Sequence, residues 1–166
     1  MKIIHLELQS KQPEILKAFY TRTLAFKLID ETESGFSLQA GSSSLHVSLN
    51  LVRPDGVYHF AFRIPFRQFK SISQWLQQRV ECLPDPKTGS PVILHEEWEA
   101  KALYFLDPDG NIVEFIAHQS ITEEEQSQQE NGVVGICEIG LAVPHVPAFA
   151  DKLKQTFELE RWKTEY

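Results

Sequence analysis

The chain repeats one order of predicted secondary structure, and this repeat restricts its fold more than any other feature. Each copy predicts a strand, an amphipathic helix and three further strands, from alternating and helical apolar spacing. In the first copy the predicted elements are residues 2–9, 13–23, 26–31, 35–40 and 44–51. In the second they are residues 57–64, 65–79, 91–95, 101–106 and 111–118. The repeat predicts an α+β protein made of two stacked βαβββ modules, residues 1–52 and 53–118.

The last two strands of the second copy are predicted to form a hairpin with a carboxylate in its second strand. Asp107–Asn111 reads Asp-Pro-Asp-Gly-Asn, a strong turn sequence, because Pro108 presets one turn residue and Gly110 accepts a positive φ. Alternation then places Tyr104 and Glu114 on the face opposite the main apolar residues. A carboxylate on the inner side of a strand needs a metal or a paired base, whereas at a sheet edge it would simply meet water.

The first strand of each copy carries a histidine on the face opposite its apolar residues. These histidines are His5 in the first copy and His59 in the second. A strand histidine is more often a satisfied surface or core residue than a ligand, so each one alone is weak evidence for a site. Their matched positions in two repeats are the stronger observation.

Beyond the repeat, residues 119–132 are polar and acidic and predict a solvated linker. Residues 135–143 and 147–157 then predict a strand and a helix, so 133–166 looks like a partial third module, with Gly140 at the position of His5 and His59. Its apolar residues would favour a homodimer if they stayed exposed.

Composition excludes several classes of function. At 166 residues, 42% of them hydrophobic, the chain is long enough for one well-cored domain. The repeat assigns this domain to residues 1–118. A net charge of -7 argues against nucleic acid and acidic membranes as partners. Cys82 and Cys137 do not have metal-site spacing. Without a signal-peptide pattern or a long apolar run, we expect a cytoplasmic protein that acts on a small molecule.

With two βαβββ units, a histidine in each first strand and Tyr-Phe-x-Asp-Pro-Asp-Gly-Asn-x-x-Glu closing the second, residues 1–118 resemble the vicinal oxygen chelate superfamily. This superfamily includes glyoxalase I, fosfomycin-resistance proteins, bleomycin-binding proteins and extradiol dioxygenases. The resemblance implies that the modules form a curved, cup-like mixed sheet with helices outside and a divalent metal inside. It also implies that His5, His59 and Glu114 are the metal ligands. Two imidazoles and one carboxylate would leave one metal face open for substrate.

Within the superfamily, the site pattern is most similar to that of type I extradiol dioxygenases. The spacing from His95 to Tyr104 to Glu114 matches the signature of those enzymes. By this resemblance His95 and Tyr104 would hydrogen-bond a catechol-like substrate, and His46 would act as acid and base near bound oxygen. The implied metal is Fe(II) or Mn(II). Trp98 is either part of the wall around the ring or plain core.

Two alternatives stay open at this point. A glyoxalase-type lyase or fosfomycin-type thiol transferase would use Mn(II), Ni(II) or Zn(II). However, His46 stands where glyoxalase I enzymes usually have a second metal-binding glutamate, and Ala102 where thiol transferases often have a serine. A non-catalytic binder resembling the bleomycin-resistance proteins would need no metal, and the His/His/Glu set argues against it.

Overall fold

The first module forms a four-stranded mixed sheet. The computed structural model describes residues 2–52, 56–121 and 129–159. The strands of the first module are β1 (His5–Ser10), β2 (Lys27–Thr32), β3 (Gly35–Ala40) and β4 (Ser43–Leu49). They lie in the sheet in the order β1-β4-β3-β2. β1 runs parallel to β4, whereas β3 is antiparallel to both of its neighbours. The connection from β1 to β2 is helical: α1 (Pro13–Ala18) begins with proline in its first turn and continues as a π-helix, Phe19–Thr23.

The second module repeats this topology in a second sheet. Its elements are β5 (His59–Arg63), a 3₁₀ helix (Phe66–Gln68), α2 (Phe69–Gln77), β6 (Ile93–His95), β7 (Ala100–Leu106) and β8 (Ile112–His118). Its strands lie in the order β6-β7-β8-β5, with β5 parallel to β8. The predicted α+β class and the paired βαβββ modules are therefore confirmed. Residues 53–55, at the start of the predicted second module, lie outside the described residues.

The two modules share one apolar core rich in phenylalanine. Alternate residues of β4, β5, β7 and β8 point into it, as their sequence alternation predicts. Phe26 of the first module contacts Phe62 of the second, with ring centroids 4.8 Å apart. Alternation with His5 predicts that Ile4 lies on the buried face of the first strand, but Ile4 is 70% exposed.

A further strand lies at the junction between the modules. β9 (Gly135–Ile139) pairs antiparallel with β5, and on its other side Ile136 forms an isolated bridge with Ile3. The backbone N of Ser42 also donates to Val134 O, just before β9. β9 thus stands between β5 and the edge of the first module.

Among the described residues after β9 there is one helix, and its surface is exposed. α3 (Val146–Phe157) has no buried residue. The predicted strand and helix are both present, although β9 ends four residues before the expected position 143. Residues 160–166 lie outside the described residues, and a third module remains a prediction. No helix in the described ranges is long and apolar enough to cross a membrane.

The end of the predicted linker is packed, which corrects the sequence analysis. Residues 122–128 lie outside the described residues, but Asn131 is fully buried and donates from Nδ2 to Leu24 O at 2.9 Å. Gln129 donates to Gln39 O at 2.7 Å. The prediction of a solvated linker therefore does not hold for Asn131 and Gly132, which are buried, whereas Glu130 is exposed as expected. Amide side chains can replace the backbone partners that a polar segment loses when it crosses a core.

Candidate functional site

Glu114 is the centre of a hydrogen-bonded network on the second sheet. It is 1% exposed, and its Oε1 accepts a hydrogen bond of 2.8 Å from the Tyr104 hydroxyl. Its Oε2 lies 3.2 Å from His59 Nε2. The sheet register explains the arrangement, because Tyr104 is the direct partner of Glu114 and His59 lies two residues before its partner Ala61. The three side chains therefore come from three adjacent strands.

His95 extends the network by one residue. Its Nε2 lies 3.1 Å from the Tyr104 hydroxyl oxygen, and its ring stacks on Trp98 with centroids 4.9 Å apart. A tyrosine hydroxyl has a single hydrogen, which here is donated to Glu114, so His95 Nε2 must be the donor to the tyrosine oxygen. The result is a continuous chain from His59 through Glu114 and Tyr104 to His95.

The charges within this chain are set by Glu114 and by burial. The hydrogen bond with Glu114 raises the pKa of His59, against an opposite effect of desolvation. Burial, and then the charge of Glu114, raise the pKa of Tyr104 well above its ordinary value. His59 therefore holds its proton more tightly beside the carboxylate than a free histidine does, and Tyr104 stays a neutral donor.

Small apolar residues form the surroundings of the network. Ala61, Ala100, Ala102 and Ile116 make a separate buried cluster, with Tyr104 and Cys137 packed against it. Burial raises the pKa of the Cys137 thiol, which is therefore neutral. The low polarity of this face strengthens the electrostatic interactions of Glu114.

His5 and His46 form a second, separate pair on the first sheet. His5 Nδ1 lies 2.8 Å from Ser44 Oγ, and His46 Nδ1 lies 2.9 Å from Ser37 Oγ. The two rings are stacked with centroids 6.4 Å apart. In each case the serine is the direct partner of the histidine on the neighbouring strand. His46 thus contacts Ser37 and His5, and it is not part of the Glu114 network.

The fit of these residues to a divalent metal is partial. Two ligands at right angles, with bonds of about 2.1 Å, lie about 3 Å apart, and His59 Nε2 and Glu114 Oε2 meet this spacing. Within residues 2–52, 56–121 and 129–159, no three His, Cys, Asp or Glu side chains are grouped so that they could hold a metal ion. The structure thus brings together two of the three predicted ligands and leaves His5 apart.

The position of β9 gives a physical reason for this separation. β9 pairs with β5, which carries His59, and on its other side it bridges to Ile3, two residues before His5. Neighbouring strands lie about 4.8 Å apart, so one inserted strand is enough to disperse three ligands. Sequence analysis missed this placement. The one signal in the sequence was Gly140, which stands at the position of His5 and His59 in the partial third module. Its backbone N donates to His59 O at 2.7 Å, next to β9.

A cavity of about 700 Å³ adjoins the His95 end of the network. Its lining comes from the loop before β6, from β6 itself and from the short 3₁₀ helix Glu96–Trp98. Both His95 and Trp98 line it. Trp98 is therefore partly exposed at the cavity and is not plain core, whereas its role beside a bound ring stays a prediction.

Comparisons of the structure with solved structures identify the fold. One match is an integron cassette protein from the mobile metagenome of the Halifax Harbour sewage outfall, at 22% identity and a TM-score of 0.59, covering 69% of this chain and 97% of that one. A lactoylglutathione lyase from Agrobacterium tumefaciens matches at 14% identity and 0.56, covering 69% and 92%. A glyoxalase/bleomycin resistance protein/dioxygenase from Alicyclobacillus acidocaldarius matches at 20% and 0.56, covering 72% and 92%. The chain thus has the fold of these proteins.

Comparisons by sequence found no match. No protein-family model matches the chain, and no curated protein matches it. Because the sequence identities of the structural matches are below 25%, these matches show the fold alone. The chemistry has to be argued from the residues of the site.

Proposed function

We propose that this protein is a metal-dependent, ring-cleaving dioxygenase of the extradiol type that acts on a catechol-like aromatic. One observation carries the proposal: Tyr104 and His95, two of the three residues that set the extradiol pattern apart from the rest of the superfamily, both lie in the hydrogen-bonded chain that includes Glu114, whereas the third, His46, lies outside it. Two side chains ten and nineteen positions before Glu114 in the sequence converge there through the pairing of β6, β7 and β8.

His59 and Glu114 are the proposed metal ligands; His5, the third ligand that the resemblance implies, lies apart from them in this structure and would have to approach for the metal to bind. The proposed metal, Fe(II) or Mn(II), would supply Lewis acidity and redox chemistry toward a catechol and dioxygen. The chain's own residues supply orientation and protons. Tyr104, neutral and half-buried, would donate to a substrate oxygen by exchanging its hydrogen bond with Glu114. His95 orients the tyrosine through Nε2, and His46 is the proposed acid and base on the side of His5.

Anaerobic reconstitution with Fe(II) or Mn(II), followed by aerobic incubation with catechol, tests this proposal. We expect bound metal near one equivalent and a yellow ring-fission product. Glu114→Gln should abolish both, because it removes the anionic ligand, whereas Glu138→Gln is a matched control on neighbouring β9 and should retain both. Metal binding without ring fission, together with isomerisation of the glutathione adduct of methylglyoxal, would contradict the proposal in favour of a lyase.

A second candidate function is non-catalytic binding of a small molecule. The specific observation behind it is that the described part of the chain has no group of three metal-ligating side chains, although the cavity beside His95 is large enough for a ligand. This function predicts that ligand affinity is the same with and without Fe(II), and that purified protein contains no stoichiometric metal.

A further inference from the structure

The cavity beside His95 has an apolar wall that is open to solvent. Val92, Leu94 and Trp98 contribute to this wall. Leu94 is 60% exposed and Trp98 37% exposed. Large apolar side chains that line a concave surface are typical of ligand sites, and a tryptophan offers a flat face for an aromatic ring or a cation.

The polar part of the cavity is predominantly negative. Asp85, Glu96 and Glu97 line it together with a single cation, Lys87. Asp85 accepts hydrogen bonds from the backbone N of Lys87 at 2.8 Å and from the Thr88 hydroxyl at 2.9 Å. These hydrogen bonds lower the pKa of Asp85, and the charge of Lys87 lowers it further, so the two side chains interact electrostatically.

The other two carboxylates have no such partner. Across the ranges that the structure describes, neither Glu96 nor Glu97 forms an ion pair with a lysine or arginine. Both are exposed at the cavity. Two negative charges are therefore available to a ligand that sits against Trp98.

The cavity adjoins the proposed active site at one residue, His95. His95 lines it and, through Nε2, contacts the Tyr104 hydroxyl, which is bound to Glu114. A ligand that packs against Trp98 thus lies next to the chain of residues that defines the site.

We propose that this cavity selects an aromatic substrate that carries a protonated amino group, with the ring against Trp98 and the ammonium group at Glu96 and Glu97. This inference deepens the proposed function and rests on it for the catechol ring. The unpaired carboxylates attract the ammonium group, and the same charges repel aromatic acids. The site therefore discriminates by charge among cationic, neutral and anionic aromatic ligands, whereas the apolar wall contacts all of them.

Three matched catechols test the selection: dopamine, neutral ethylcatechol and the anionic dihydroxyphenylacetate. Calorimetry on the full, metal-free chain in anaerobic buffer at neutral pH should show dopamine binding about tenfold more tightly than dihydroxyphenylacetate, with ethylcatechol between them. Raising the salt concentration should reduce this ratio, because exposed charges are screened. Butylamine, which has the charge without the ring, should bind more weakly than dopamine.

Variants separate the two parts of the cavity. In the double variant Glu96→Gln, Glu97→Gln, the ratio should fall toward one while ethylcatechol binding is unchanged. Glu81→Gln removes an exposed acid that does not line the cavity and should preserve the ratio. Trp98→Leu should weaken all three catechols and keep their order.

Several results would overturn the inference. These are equal affinities, tighter binding of the acid, no binding of any catechol, or a ratio that survives the double variant. The outcomes also distinguish this inference from the function on which it rests. Charge selection without ring fission supports the cavity and refutes the dioxygenase, whereas ring fission of all three catechols with equal affinity does the reverse.

Discussion

At the scale of single residues, Glu114 depends on its neighbours in the sheet. A buried carboxylate costs several kcal/mol unless hydrogen bonds or opposite charges compensate it. Tyr104 donates to one of its oxygens, and His59 lies beside the other. This pairing couples the charge of His59 to that of Glu114, and the coupling can be measured directly.

Glu114→Gln should lower the pKa of His59. The hydrogen bond with Glu114 is the largest cause of the raised pKa, and desolvation, which acts in the opposite direction, remains in the variant. Titration of the His59 ring protons by NMR, in the presence of a chelator, measures the change. Glu138→Gln is the matched control: Glu138 is the smallest contributor to the raised pKa and should lower it far less. An unchanged pKa in Glu114→Gln would mean that the pair does not form in solution.

The raised pKa of His59 also predicts how stability depends on pH. The folded state holds the histidine proton more tightly than the unfolded chain, whose histidines titrate near a pKa of about 6.5. The stabilisation is therefore fully present below that value and is lost as the pH rises through the higher folded pKa. Urea unfolding of metal-free protein across this window should show a decline in stability that His59→Gln flattens. A decline of equal size in the variant would assign it to another group.

At the scale of elements, a hydrogen bond from the first module stabilises the turn between β7 and β8. Asp107 is 4% exposed, and its Oδ1 accepts hydrogen bonds from the backbone N of Asp109 and of Asn111. Its Oδ2 accepts from the Asn111 side chain and from the Tyr20 hydroxyl of the π-helix. The turn sequence predicts the hairpin from local chemistry alone, but it does not reveal that Tyr20, 87 positions away, anchors it.

Asp107→Asn should destabilise the protein by about 1–3 kcal/mol, the cost of an unsatisfied buried polar group. The new amide would point a donor at the Asn111 amide, which already donates to that position. Burial raises the pKa of Asp107, so removing the charge recovers part of the loss. Urea unfolding measures the difference.

Asp109→Asn is the control for this substitution. Asp109 lies in the same turn, is only partly buried, and its carboxylate accepts a bond from exposed Gln12 at 3.2 Å. We expect a change below about 1 kcal/mol. Equal losses in the two variants would show that the turn is not anchored through Asp107.

At the scale of the whole molecule, β9 fills the junction between the two modules. The approach is close at Gly41, in the turn between β3 and β4, where the φ is +60°. A Cβ atom there would lie 2.1 Å from the carbonyl carbon of Val134. Backbone cannot move aside as a flexible side chain can, so this glycine permits the C-terminal segment to dock on the first module.

Gly41→Ala should therefore destabilise the protein far more than Gly89→Ala. Gly89 has a similar φ of +71°, but nothing lies within 4 Å of its added Cβ. Its substitution should cost about 1–2 kcal/mol, the penalty of the left-handed conformation. Gly41→Ala should cost about 1–3 kcal/mol more, because it also overpacks the junction. Urea unfolding of both variants provides the comparison, and equal losses would show that β9 is not docked there.

The repeat of apolar spacing was sufficient to predict the two βαβββ modules, because period and turn chemistry are local properties of the chain. The face of Glu114 and its proximity to Tyr104 also followed, since a short hairpin fixes the register of its strands. His95 was placed by resemblance; the pairing of β6 with β7 sets it opposite Ala100, and its side chain reaches Tyr104 four residues further along β7.

Tertiary structure alone decided how the modules meet. β9, formed by residues 135–139, lies between the strand that carries His59 and the segment that leads into His5. The burial of Asn131 and the anchoring of Asp107 by Tyr20 are likewise contacts between distant segments. Such contacts depend on which exposed strand edge finds a partner, and apolar periodicity carries no information about that choice, because any edge with free backbone groups can accept a strand.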